Sequence, residues 1–235
     1  MTLARAAAAE AIGTALLLAI VVGSGIMGEK LAAGNLAIAL LANSIATGAG
    51  LYTLIAMLGP ISGAHFNPIV SGVSVWQGQL PLRIGLVYAL VQVAGAFVGV
   101  LAAHAMFGLP LLQVSAHLRP TPGEGLGEVV ATFGLILVIL LLSRSRREAI
   151  PVAVAAFITS AYWFTSSTSF ANPAVTFARA MTDTFAGISP NSVPLFVVCQ
   201  VLGGVAAVLC ARWLLAPEPR SQVPVIPRRG EDGNR

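Results

Sequence analysis

Long apolar runs separated by short polar breaks dominate this chain. Residues 11–27 and 85–103 contain no charged side chain. A helix needs about 20 apolar residues to cross a bilayer. On that basis the pattern predicts six membrane helices, at 6–28, 36–58, 83–107, 126–143, 150–166 and 193–215. Two shorter segments, 68–77 and 173–183, each follow an Asn-Pro pair and reach roughly 15 Å, half of the bilayer core. A polar loop containing Pro110, Pro120, Pro122 and Gly123 divides the chain into halves of about 6–107 and 126–215. Residues 1–215 are therefore expected to form one membrane domain. From Pro217 onward Pro, Arg and acidic residues predict a disordered tail at 216–235. The apolar run that opens the chain continues to Met27 and recurs later, so it is read as a retained helix rather than a signal peptide.

The halves repeat. "AEAIGT" around Glu10 and Thr14 matches "GEVVAT" around Glu128 and Thr132. Asn67-Pro68 matches Asn172-Pro173, and "VQVAGA" with Gln92 and Gly95 matches "CQVLGG" with Gln200 and Gly203. Three markers in one order indicate duplication. Each half holds an odd number of spans, so the second inserts inverted relative to the first. Inverted repeats with interrupted segments hold their solute site at the shared midplane.

Composition agrees: 57% of the residues are hydrophobic, 9% are charged, and the mean hydropathy is +0.86. The net charge of +4 is concentrated in Arg144, Arg146 and Arg147, and in Arg220, Arg228, Arg229 and Arg235. That distribution fits the cytoplasmic side of a membrane protein and not a nucleic-acid surface. Six spans put both termini on that side, with Arg5 and Arg83, and leave Lys30 and Arg119 outside. Cys199 and Cys210 are eleven residues apart on one predicted helix, about 16 Å, too far to pair with each other. Gly95 and Gly99 have the small-xxx-small spacing of closely packed helices.

Asn-Pro is a good helix start, because Asn caps and Pro fits the first helical position. Two half-helices entering from opposite faces would bring their N-termini together at mid-membrane. Their partial positive charges repel cations. The Asn67 and Asn172 amides can donate hydrogen bonds to a neutral solute, and carbonyls of 62–66 and 165–171 can accept them.

These residues, and above all "SGAHFNPIV", "NPAV", Glu10, Glu128 and the two Gln-x-x-Gly stretches, resemble the aquaporin and aquaglyceroporin family over about residues 6–215. The resemblance implies an all-α membrane protein of six transmembrane helices and two re-entrant half-helices, one pore per subunit, and a homotetramer. The half-helix caps would be Asn67, Pro68 and Ile69, and Asn172, Pro173 and Ala174. Ile69 stands where the family usually has Ala, and is expected to pack on the opposite half-helix. Val175 replaces the Arg that the family nearly always has there. Spacing from the two motifs assigns the other filter positions to Thr47, Ser160 and Ser169, which implies a wide, weakly polar, uncharged constriction. Glycerol-like polyols, neutral metalloid acids such as arsenite, and water would pass.

Arg179 is expected to pair with Asp183 at i,i+4 or to snorkel to the interface, the alternative being a reach back toward the pore. Glu10 and Glu128 are buried acids. The resemblance implies that they brace the re-entrant backbone; the alternative is a proton-coupled secondary transporter that uses them as proton carriers. His65 is expected to pack beside the loop and contribute a carbonyl to the pore, while His104 and His117 fit no pattern. An intramembrane protease built on Ser62 or Ser71 with His65 lacks any sign of an oxyanion hole. The expectation is a passive channel in the cell (plasma or inner) membrane, with no enzyme activity, metal or cofactor, and with the lipid bilayer and small neutral solutes as partners.

Overall fold

A computed structural model describes residues 2–216. The expected tail at 216–235 lies outside the described residues from Pro217 onward. Eight α-helices occur among the described residues: α1 (Leu3–Leu31), α2 (Leu36–Ser62), α3 (Pro68–Trp76), α4 (Leu82–Met106), α5 (Pro122–Ser145), α6 (Ile150–Phe164), α7 (Pro173–Arg179) and α8 (Val193–Leu214). Local signals set most of these ends. Asn35 caps α2 by accepting from the Ala37 and Ile38 N–H groups at 3.1 and 3.3 Å. Thr121 and Glu124 form a reciprocal capping box with Pro122 in the first turn, so α5 begins four residues before the sequence reading. Gly63, at φ 93°, ends α2 in the left-handed conformation that glycine adopts freely.

Five helices, counting α8 from Pro190, are long and apolar enough to span a bilayer. The sixth, α6, has 15 residues, about 22 Å, and follows a single 3-10 turn at Arg147–Ala149. Its end runs directly into the irregular segment that precedes α7. Non-helical chain at membrane depth survives where protein or a water-filled cavity surrounds it, and residues 165, 167 and 169–172 are buried in the bundle.

The inverted repeat is visible in the packing. Helix α1 packs on α2 and α4, and α5 packs in the same way on α6 and α8, while α2 meets α6 across the repeats. Close approach depends on glycine at matched positions. A Cβ on Gly95 would lie 2.3 Å from the Ala11 carbonyl oxygen, and one on Gly203 would lie 2.4 Å from that of Val129. Half-helix α3 lies against α4 and α8, and α7 against the same two helices. On the face bearing Arg119, the α4–α5 connection is tied to the segment after α7. Ser115 N–H donates to Ala180 O, Ala116 N–H to an Asp183 carboxylate oxygen, and Ser189 N–H to His117 O, at 3.0, 2.9 and 2.7 Å. Buried His104 joins this cover through Thr182 Oγ1 and Leu111 O.

The glycine contacts are with backbone, which cannot step aside. Gly95→Val should therefore force α1 and α4 apart and cost at least about 1–3 kcal/mol, read as a lowered unfolding midpoint in detergent. Gly59→Ala, at a position with open space around it, should leave that midpoint nearly unchanged.

Candidate functional site

The chain before each half-helix follows one backbone plan. Relative to Asn67 and Asn172, the residues three and one positions earlier are left-handed: Ala64 (φ 50°) and Phe66 (φ 48°), Ser169 (φ 54°) and Ala171 (φ 48°). Non-glycine residues reach this region at a cost of about 1–2 kcal/mol each. Matched buried acids offset it. Glu10 accepts from the His65 and Phe66 N–H groups at 3.0 and 2.7 Å, from Ser62 Oγ at 2.6 Å and from Gln92 Nε2 at 2.8 Å. Glu128 accepts from the Phe170 and Ala171 N–H groups, both at 2.8 Å, and from Gln200 Nε2 at 2.6 Å. Gln92 also reaches Ser71 Oγ, and Gln200 reaches Thr176 Oγ1, four residues after each Asn.

Each Asn side chain is committed at both ends. Asn67 Oδ1 accepts from Ile69 N–H at 2.9 Å, and Asn172 Oδ1 from Ala174 and Val175 N–H at 3.0 and 3.4 Å. Asn67 Nδ2 donates to Ala171 O and Asn172 Nδ2 to Phe66 O, both at 2.7 Å. The two half-helices are thereby clasped cap to cap. With the oxygen turned to its own helix, each amide faces the other loop as a donor. One of its two N–H bonds is used there and the second remains for a solute.

A cavity of about 200 Å³ runs past both caps. Its lining combines the irregular segments Gly63–Asn67 and Ser169–Asn172 with apolar side chains that include Leu17, Val21, Leu51, Ile55, Leu135 and Ile158. Thr47, Ser169 and Val175 all line this path, and Ser169 Oγ has no hydrogen-bond partner among the described residues. Ser160 does not line it. That side chain is exposed and its hydroxyl donates to Phe157 O at 2.7 Å, because the phase of α6 turns Ile158 and Tyr162 inward instead. Tyr162, which the sequence reading missed, shares a 3.2 Å hydrogen bond with Thr47 across α2 and α6.

Two further expectations are corrected. Ile69 packs against α8, not the opposite half-helix: it joins the cluster of Ile136, Leu140, Ala207 and Val208, and a Cβ on Gly204 would fall 2.7 Å from its Cγ2. Arg179 neither pairs with Asp183 nor snorkels. Helix α7 ends at Arg179, so Asp183 is not on its face, and the Asp183 carboxylate is taken by Ala116 N–H. Arg179 is buried, lines the cavity, donates through Nε to Ala186 O, and stacks its guanidinium 3.4 Å from the Phe170 ring centroid. Arg119 approaches the same ring at 5.3 Å and donates to Gly187 O and Ser167 O at 3.2 and 3.3 Å. Burial lowers the pKa of Arg119, with Glu124 opposing. His65 lines the cavity and meets Ser71 Oγ at 3.1 Å, but Ser71 is buried, already bonded to Gln92, and off the path.

Replacing Glu128 with Leu would strand the Phe170 and Ala171 N–H groups at about 1–3 kcal/mol each. The expected outcome is a large drop in the detergent unfolding midpoint. Glu128→Gln, which can still accept, should lose less.

Comparison with known proteins agrees with this geometry. The family model described as "Major intrinsic protein" matches residues 1–166. An aquaglyceroporin, AqpS, of Rhizobium meliloti (strain 1021) is 54% identical over 215 residues, 92% of this chain and 92% of the relative. A probable aquaporin, AqpM, of Archaeoglobus fulgidus is 31% identical, covering 88% of this chain and 95% of the relative. Aquaporin-1 of Homo sapiens is 30% identical, covering 91% and 82%. The crystal structure of the aquaglyceroporin from Plasmodium falciparum shares the fold, with a TM-score of 0.71 and 19% identity over 90% of this chain and 95% of that one. The chain belongs to the major intrinsic protein family, and it is a passive channel for small uncharged solutes.

Proposed function

We propose that the solutes are small hydroxylated molecules of glycerol size, neutral metalloid acids such as arsenite, and water. The observation that carries this reading is the mixed lining of the path, in which the irregular loops with Asn67 and Asn172 meet aliphatic side chains. A polyol has polar and apolar faces, so such a lining replaces its water with backbone and amide groups while its carbons meet aliphatic side chains. Thr47, Ser169 and Val175 form the level at which size is sorted, with Tyr162 in the role first given to Ser160. The relative named as an aquaglyceroporin points the same way.

Ions are refused for a different reason. The half-helix N-termini face each other with their partial positive charges, and each Asn is oriented to donate. Glu10 and Glu128 brace the loops rather than carry protons, since their oxygens are already engaged by N–H and hydroxyl donors. The chain works as a homotetramer in the plasma or inner membrane, one pore per subunit. The arginines between α5 and α6 support cytoplasmic termini.

Stopped-flow light scattering on proteoliposomes tests the solute class. Wild type should equilibrate an inward glycerol gradient faster than empty vesicles. Val175→Arg, which fills the sorting level, should cut glycerol flux on the order of tenfold or more and water flux less. Equal glycerol flux in wild-type and empty vesicles would refute the polyol reading.

A further inference from the structure

Val175 removes a fixed charge from the position where the family carries one, yet the path is not left without a cation. Among the described residues lining the cavity, Arg179 is the one Arg, Lys, Asp or Glu. We propose that Arg179 supplies the constriction's displaced charge, repelling cations and donating hydrogen bonds to neutral solutes from a side chain anchored one helical turn beyond Val175 on α7. This inference rests on the passive-channel reading and names the residue that sets the channel's charge selectivity.

Geometry carries it. Residues four apart share a helix face, so Arg179 follows Val175 along the pore side of α7, its Cα about 6 Å farther from the Asn caps and its guanidinium returned to Phe170. Its side chain is 2% exposed and held at two points, by Ala186 O on Nε and by the face of Phe170. A guanidinium has five N–H donors. The four on the Nη atoms have no protein acceptor among the described residues, and the residue lines the cavity. They remain available to a solute oxygen. Among the described residues no carboxylate forms an ion pair with it: Asp183 accepts from Ala116 N–H, and Glu128 accepts from the loop backbone and Gln200.

Arg119 is the positioning residue. It takes the carbonyl of Gly187, next to the Ala186 carbonyl that holds Arg179, and lies against the same Phe170 ring. The two arginines thus fix the segment and the ring that set where the Arg179 head sits. The arrangement keeps a cation in the path while the level of Thr47, Ser169 and Val175 stays free of a long side chain. Width for a polyol and rejection of cations are then supplied by two different residues instead of one.

The test compares wild type and Arg179→Met in proteoliposomes, reading glycerol equilibration and, separately, proton and potassium leak under an imposed potential with a trapped pH dye. The variant should raise cation leak on the order of tenfold or more, and its glycerol flux, lowered by the lost donors but above that of empty vesicles, shows that the pore is open. Arg119→Gln should raise the leak by less. A leak that stays at the wild-type level while glycerol still passes would overturn the proposal. Should the methionine variant not assemble, Arg179→Cys carries the test. Labelling it in the vesicle with a cationic thiol reagent should lower the leak, an anionic reagent should raise it, and equal leaks after both would overturn the proposal. Wild-type glycerol flux at the empty-vesicle level would count against the channel reading alone, because the leak comparison is read independently.

Discussion

Everything in this molecule depends on two short hydrogen bonds that cross the pseudo-two-fold axis: Asn67 Nδ2 to Ala171 O and Asn172 Nδ2 to Phe66 O, each at 2.7 Å. Neither half-helix is long enough to cross the membrane, and each begins in the interior, where unpaired backbone is costly. Capping its own helix with Oδ1 and the opposing loop with Nδ2 lets each Asn satisfy both. The clasp also fixes the polarity of the path. With the amide oxygens bound to helix N–H groups, the two Asn side chains can only donate toward the path, and a partner that only donates, such as hydronium, finds no acceptor on them.

The clasp needs loops in an unusual conformation, and the buried acids hold them there. Left-handed residues at matched positions turn successive peptide groups in opposite senses. The carbonyls Phe66 O and Ala171 O reach the opposite Asn, while the N–H groups of the same residues turn back to Glu10 and Glu128. Gln92 and Gln200 link each carboxylate to its own half-helix through Ser71 and Thr176. The network is therefore one device used twice, with carboxylate, loop, cap and half-helix in fixed order. Gly95 and Gly203 let the helices that carry the acids and amides approach closely enough to close it.

Much of this was legible in the sequence because the device is duplicated. Asn-Pro, Glu and Gln-x-x-Gly recur in register, and their matched positions carry information that no single copy has. What escaped depended on local phase and on distant partners. Spacing from the two motifs points to Ser160, but the 15-residue α6 presents Ile158 and Tyr162 to the path, and only packing sets that rotation. The early start of α5 was readable from Thr121, Pro122 and Glu124 and was obscured by the Pro-Gly pair within it. The pairing of Arg179 with Asp183 assumed a helix to residue 183. Helix α7 stops at Arg179, and Phe170, Ala186 and Arg119, separated along the chain, decide where that guanidinium goes.

If the clasped half-helices form a static, passive path, the buried carboxylates exchange no protons during transport. The initial rate of glycerol entry into proteoliposomes, followed across a wide concentration range with and without a pH gradient, tests this. A passive path gives a rate linear in the gradient, indifferent to pH difference and never uphill. A rate that saturates and drives glycerol against its gradient when protons flow inward would turn Glu10 and Glu128 from braces into carriers.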